Sequence, residues 1–171
     1  MDTPTTPTPI LTPQIVKEEY IALYRNIREQ MIRLPKHNVA PAAIFYLTKD
    51  GKMTAVVLPI DINTEGQKSV AVLVVNAIID QHKPDFVIFV AESWLSTPKA
   101  EDIVDGAPKV RPSQDPARRS VLAFQISFKG GGALGLADIE ERGEGDRCIP
   151  EVPPELNEGE AGGRFYFKME R

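Results

Sequence analysis

The chain has almost none of the residues from which disulfides and metal sites are built. Its 171 residues include one cysteine, Cys148, and two histidines, His37 and His82. A lone cysteine cannot form an intramolecular disulfide, and these three side chains are too few for a Cys/His zinc site. We therefore expect no metal and no cofactor, and the single thiol favours a reducing, cytoplasmic environment.

Long hydrophobic runs are absent as well. The longest spans residues 70–79 and is interrupted by Asn76, whereas a membrane-spanning helix needs about 20 predominantly apolar residues. Residues 1–12 alternate threonine and proline with no basic start and no apolar centre, which is unlike a secretory signal. The sequence predicts no membrane association, with residues 1–12 as a disordered tail.

Motifs for nucleophilic catalysis and phosphate binding are missing too. No GxSxG segment occurs, and the glycine-rich residues 129–135 lack the Lys-Ser/Thr ending of a P-loop. Cys148 lies in an acidic, proline-flanked segment, where nearby carboxylates disfavour its thiolate. The absence of a complete catalytic set favours a non-enzymatic accessory or protein-interaction module, whose partner is a protein or a second copy of the chain. A small-molecule ligand is not indicated.

The charge of the chain is acidic and unevenly distributed. The net charge is −4; residues 138–160 contribute −7, so the rest of the chain carries +3. Residues 109–119 form a basic segment, which makes association with nucleic acid one alternative function. Because this segment lacks interleaved aromatic side chains and the chain is acidic overall, nucleic acid is a disfavoured partner.

The clearest structural signal in the chain is a β-hairpin. Residues 42–48 and 52–60 are rich in β-forming side chains and are joined by Asp50-Gly51. Both turn residues tolerate the positive φ that a two-residue type I′ turn requires. The sequence therefore predicts two antiparallel strands in a fixed register.

Two helices are predicted on either side of this hairpin. The first begins with Thr12 as N-cap and ends before Pro35, and its apolar stripe is expected to pack on the sheet of the same chain. The stripe consists of Val16, Tyr20, Leu23, Ile27, Met31 and Leu34. The second begins with a capping box of Thr64 and Gln67 and ends at Lys83-Pro84. Because it contains the longest apolar run, we expect it to be buried on much of its circumference.

Four further strands are predicted in the second half of the chain. Residues 85–95 are apolar on both faces, as in a central strand, and residues 119–128 alternate between an apolar face and a wetter one. A turn at residues 130–132 leads into a strand at 133–140, and residues 164–169 form the last strand.

The predicted fold class is α+β, with a mainly antiparallel sheet of about five to six strands and two main helices. The element order, α-β-β-α-β-β-β-β, resembles that of the profilin-like and the roadblock or longin folds, and this likeness implies no function. Residues 13–171 are expected to form a single domain with two long loops, at 96–117 and 141–163.

The most unusual residue is Glu92, a carboxylate that follows six apolar residues of the predicted central strand. Such a group must reach water or find a partner, and we expect an ion pair with Arg118 or Arg119, which begin the neighbouring strand. The alternative is functional: a small hydrolase or ligand-binding enzyme would use Glu92 with Arg118 or Arg119 in a cleft at the strand end.

Two segments around Glu92 also carry a family resemblance. Ala91-Glu92-Ser93-Trp94 and the downstream Pro-Ser-Gln-Asp-Pro-Ala-Arg-Arg turn resemble an uncharacterised group of small bacterial and phage proteins, over residues 43–128. The resemblance implies no activity. It implies that four residues belong to one local structure: Glu92, Trp94, Ser113 and Arg118. The candidates for binding are Trp94, Ser113, Arg118 and Arg119.

Overall fold

The computed structural model describes residues 12–95, 101, 103–105, 107–108, 118–159 and 165–169. Two helices, α1 (Gln14–Arg33) and α2 (Glu65–His82), lie in this part of the chain. The strands are β1 (Ala42–Lys49), β2 (Lys52–Pro59), β3 (Phe86–Leu95), β4 (Ile103–Val104), β5 (Ala107–Pro108), β6 (Arg119–Phe128), β7 (Gly131–Asp138), β8 (Glu140–Arg142), β9 (Asp146–Cys148) and β10 (Asn157–Gly159).

Six of these strands form one antiparallel sheet in the order β10-β7-β6-β3-β1-β2. The two short hairpins β4–β5 and β8–β9 are separate. Helix α1 packs on one face of the sheet and helix α2 on the other, and each face has its own apolar core. The predicted fold class, α+β with a mainly antiparallel sheet and two helices, is confirmed.

The β1–β2 hairpin has the predicted turn. Lys49 is opposite Lys52, and the two residues between them, Asp50 and Gly51, have φ angles of 52° and 74°. Two consecutive positive φ angles define a type I′ turn, whose twist matches that of the strands it joins.

Gly51→Val is expected to destabilise the protein by about 1–2 kcal/mol, because a β-branched residue strongly resists positive φ. Urea unfolding of the variant and the parent measures the difference. Gly51→Asn is the matched control and should cost much less, since asparagine tolerates this conformation. Equal stability of the valine variant and the parent would contradict the turn assignment.

Helix α1 packs its apolar stripe on its own sheet, as predicted, except that Leu34 is the C-cap of the helix and is exposed. The buried residues are Val16, Tyr20, Tyr24, Ile27 and Met31. The expected N-cap is wrong: Pro13 occupies that position, and no side chain caps the helix. Thr12 is instead buried, so it does not belong to a disordered tail as we expected.

Helix α2 has the predicted capping box but not the predicted burial. The Thr64 hydroxyl accepts from the Gln67 N–H, and the Gln67 side chain accepts from the Thr64 N–H. Only Ala71, Val75 and Ile79 are buried. The expectation of a helix buried on much of its circumference is therefore wrong, because α2 covers the sheet from outside and no described element covers α2.

The second half of the sheet differs from the prediction in two places. The turn between β6 and β7 is Lys129-Gly130, so the strand begins at Gly131. Residues 165–169 form no strand; they cross the α2 side of the sheet, where the Phe167 N–H donates to the Ser127 hydroxyl (2.9 Å). This crossing covers the face of β6 that we expected to be wetter, and Ser127 is buried.

The segment predicted as a long loop at 141–163 is largely ordered. It contributes β9 and β10, and Ile149 between them is fully buried in the α1-side core. Of the other predicted loop, 96–117, the structure describes little beyond the short β4–β5 hairpin, and Ser113 lies outside the described residues.

Candidate functional site

Glu92 forms an ion pair with a residue that the sequence did not single out. Its two carboxylate oxygens accept from the guanidinium of Arg147 at 2.9 and 3.1 Å, and one of them also accepts from the Val39 N–H at 3.0 Å. Arg147 in turn donates to the Asn38 side chain at 2.6 Å. The side chains of Glu92 and Arg147 are only 22% and 16% exposed. The expected pairing with Arg118 or Arg119 is therefore wrong.

This ion pair joins three parts of the chain. Glu92 lies near the end of β3, Asn38 and Val39 lie in the connection from α1 to β1, and Arg147 lies in β9. The Arg147 N–H also donates to the Pro35 carbonyl. A bidentate pair with further hydrogen bonds on both partners satisfies a charge that is mostly removed from water. The arrangement holds β9 against the connection from α1 to β1.

The remaining predicted site residues lie elsewhere. Arg118 lies over the ring of Trp94, with the guanidinium carbon 4.5 Å from the ring centroid. Arg119 pairs with Asp138 in β7 at 3.4 Å, and both side chains are exposed. Trp94 and Arg118 thus contact each other, whereas Glu92 pairs with Arg147. The structure does not bring either arginine to Glu92, so the expected cleft with these residues is not formed.

The segment after β9 is held against α1 by hydrogen bonds from side chains of the helix. The hydroxyls of Tyr20 and Tyr24 donate to the carbonyls of Pro154 (3.0 Å) and Pro150 (2.6 Å). Arg28 donates to the Ile149 carbonyl at 3.1 Å. This segment is rich in acidic residues, and its composition did not indicate that three of its backbone carbonyls accept hydrogen bonds from α1.

The buried tyrosines are expected to make stability sensitive to high pH. Burial raises the pKa of Tyr24 from 10 to about 12, against a smaller opposite effect of Arg28. The folded state therefore holds the phenolic proton more tightly than the unfolded chain, so the contribution of Tyr24 is complete below pH 10 and is lost as the pH approaches 12. Between these two pH values, the free energy of unfolding measured with denaturant should fall less steeply for Tyr24→Phe than for the parent. An equal fall in both proteins would contradict the raised pKa of Tyr24.

The second notable feature is the open edge of the sheet at β2. Because a two-residue turn makes Lys49–Lys52 a hydrogen-bonded pair, the even-numbered residues of β2 bond to β1. The N–H groups of Met53, Ala55 and Val57 therefore point away from the sheet, and no described strand pairs with them. Pro59 has no N–H, and it occupies an outward position, where a proline is tolerated.

This edge lacks the features by which proteins protect exposed strands. From Met53 to Ile60 it carries no charged residue, and Val56 and Val57 are 50% and 59% exposed. At the opposite edge, β10 has three residues, one of which, Glu158, pairs with Lys17. Short length and charge are the usual means of preventing edge-to-edge pairing. The β10 edge has both of them, and the central part of the β2 edge has neither.

Next to β2, helix α2 exposes an apolar stripe. Between Ser69 and Ile79 the helix has no charged residue. Val70, Leu73 and Val74 are 59%, 70% and 41% exposed, and their spacing places them on one face of the helix. We call these residues, together with Met53–Ile60 of the sheet edge, the β2–α2 surface.

Three apolar cavities border β2. One of about 420 Å³ lies between β2 and the second half of α1, where Val57 and Pro59 face Ile27 and Met31. Two others, of about 600 and 290 Å³, lie between β2 and α2; Val70 and Val74 line the larger. The described residues thus cover the edge strand incompletely on both faces of the sheet.

Local sequence patterns did not reveal the β2–α2 surface. The apolar run of α2 predicts a helix buried on much of its circumference, and the β-rich residues 52–60 predict only a strand of the hairpin. A uniform absence of charge from Met53 to Ile60 was the one available signal, because an edge strand that stays unpaired usually carries a charge.

A comparison of the chain with protein-family models, with curated proteins and with solved structures finds no match. Neither helix of the described part is long and apolar enough to cross a membrane. Among the same residues, no three histidine, cysteine or acidic side chains are grouped closely enough to hold a metal ion.

Proposed function

We propose that this protein is a non-enzymatic protein-interaction module that binds its partner through the β2–α2 surface. The open edge of β2 carries the proposal: its outward backbone groups offer hydrogen bonds to an added strand, and the exposed apolar side chains offer contact area. Strand addition to a free sheet edge is a recurring mode of protein recognition, in which the backbone provides affinity and the side chains provide specificity.

The surroundings of Glu92 support this proposal over a hydrolase. A general acid or base needs a carboxylate that can reach a substrate. The Glu92 oxygens already accept from Arg147 and Val39, and neither Arg118 nor Arg119 is their partner. A structural ion pair accounts for Glu92 without a reaction.

The distribution of charge also favours a protein partner over nucleic acid. Binding to phosphates requires clustered, available cations. The β2–α2 surface is apolar, and Arg119 is engaged by Asp138. The lone, buried Cys148 is compatible with action in the cytoplasm, which we include in the proposal.

Affinity capture from an extract of the native host, with quantitative mass spectrometry, tests the proposal. Val57→Lys introduces a charge at the centre of the edge, and it should abolish capture of the specific partner. Val152→Lys is the matched control, because Val152 is 77% exposed and lies outside the β2–α2 surface; capture should be unchanged. If both variants retain the same partners as the parent, the proposed surface is wrong.

A further inference from the structure

We propose, on the basis of the proposed function, that the partner at the β2–α2 surface is a second copy of this chain. The two copies pair β2 with β2 in antiparallel orientation about a two-fold axis. One continuous sheet then runs through both copies, and the two α2 helices lie on the same face of it. Closed two-fold symmetry is the commonest arrangement of protein oligomers, and it requires a surface that is complementary to itself.

The charges at the two ends of β2 meet this requirement. The hairpin end carries exposed Lys49, Asp50 and Lys52, with a net charge of +1, and exposed Asp61 follows the other end. Antiparallel pairing places the lysine end of each copy beside the aspartate end of the other copy. Parallel pairing would bring like charges together, which is unfavourable.

The backbone groups determine the register. With Ala55 opposite Ala55 of the second copy, Met53 lies opposite Val57, and these outward-pointing residues form hydrogen-bonded pairs. Pro59 then lies opposite Gly51, at the end of the ladder. Its missing N–H therefore costs no hydrogen bond between Met53 and Val57. A shift by two residues in one direction would place Pro59 opposite Met53 and lose a bond within the ladder. A shift in the other direction would place Val57 opposite Gly51 of the turn, so that fewer residues of β2 are paired.

The stripe on α2 distinguishes a second copy from a simpler partner. A single extended peptide would cover the β2 edge but leave Val70, Leu73 and Val74 exposed. A second copy supplies a strand and an apolar helix in the same arrangement, so both parts of the surface are covered at once. Residues 1–11 of the chain are a poor alternative occupant, because Pro4, Pro7 and Pro9 cannot donate to a strand ladder.

Sedimentation equilibrium of the purified full chain over a dilution series tests the inference. The parent should approach twice the monomer mass of 18.9 kDa at high concentration. Val57→Lys should weaken the dimer by about a hundredfold or more, because its ammonium group is forced into an apolar contact. Val152→Lys should leave the mass unchanged. A parent that stays monomeric, or a dimer that Val57→Lys does not weaken, would overturn the inference.

Two further measurements distinguish a loss of dimerisation from misfolding of the Val57→Lys variant. Adding Met53→Glu to Val57→Lys should restore the dimer, because the proposed register places each lysine opposite a glutamate of the other copy; failure of this rescue would overturn the register. In the parent, the N–H groups of Met53, Ala55 and Val57 should exchange slowly at high concentration and faster on dilution. Exchange that is independent of concentration would overturn the pairing.

Failure of this inference is distinguishable from failure of the proposed function. A monomeric parent whose capture of another protein is lost in Val57→Lys would exclude the second copy and retain the interaction surface. A monomeric parent with no capture that depends on Val57 would exclude both.

Discussion

Replacing either Glu92 or Arg147 with alanine is expected to destabilise the fold by about 3 kcal/mol, because each change leaves the other charge mostly buried without its partner. Glu92→Ala leaves Arg147 with Asn38 alone, and Arg147→Ala leaves Glu92 with the Val39 N–H. The double replacement should cost much less than the sum, since it removes both charges and the free energy of burying them.

A double-mutant cycle in urea measures this coupling, which we expect to be about 2 kcal/mol or more. The exposed pair of Arg33 and Glu29, whose side chains are 77% and 70% exposed, is the matched control. Exposed ion pairs of this kind contribute less than about 1 kcal/mol. Simple additivity for Glu92 and Arg147 would mean that the pair does not form in solution, and it would reopen a functional role for Glu92.

The second large effect is expected at Gly135, in the middle of β7. A Cβ atom built at this position lies 2.8 Å from the Tyr20 hydroxyl oxygen and 3.2 Å from Leu156. Tyr20 cannot easily move, because its hydroxyl is bonded to the Pro154 carbonyl and its ring packs edge-on against Phe124. We expect Gly135→Ala to destabilise the protein by about 2–3 kcal/mol through overpacking.

Thermal and urea unfolding of four variants separates this clash from a general effect of replacing glycine. Gly66→Ala is the control: its Cβ would meet no atom closer than 3.9 Å, and alanine in a helix is favoured over glycine by up to about 1 kcal/mol. In a Tyr20→Phe background, Gly135→Ala should cost less than in the parent, because the closest atom is removed. An equal cost in both backgrounds would contradict the proposed contact.

Glu92 shows how much of the candidate site could be predicted from the sequence. Its position after six apolar residues was sufficient to predict a carboxylate that must reach water or find a partner. The partner is 55 residues away in the chain, in a segment whose acidic, proline-rich composition predicted a solvated loop. Arg118 and Arg119 begin the strand that pairs with β3, but the side chain of Arg118 lies over Trp94 and that of Arg119 pairs with Asp138.

The sequence by itself determined the features that depend on a few neighbouring residues. The type I′ turn at Asp50-Gly51, the capping box of α2 and the bounds of β6 follow from backbone sterics and local hydrogen bonds, which act within one turn or one strand. The tertiary structure alone decided which apolar surfaces are covered. In the part of the chain that the structure describes, strand order places β2 at an edge, nothing covers the outer face of α2, and residues 165–169 cover β6. Burial depends on which elements meet across the whole chain, and hydrophobic periodicity identifies an apolar face without specifying what covers it.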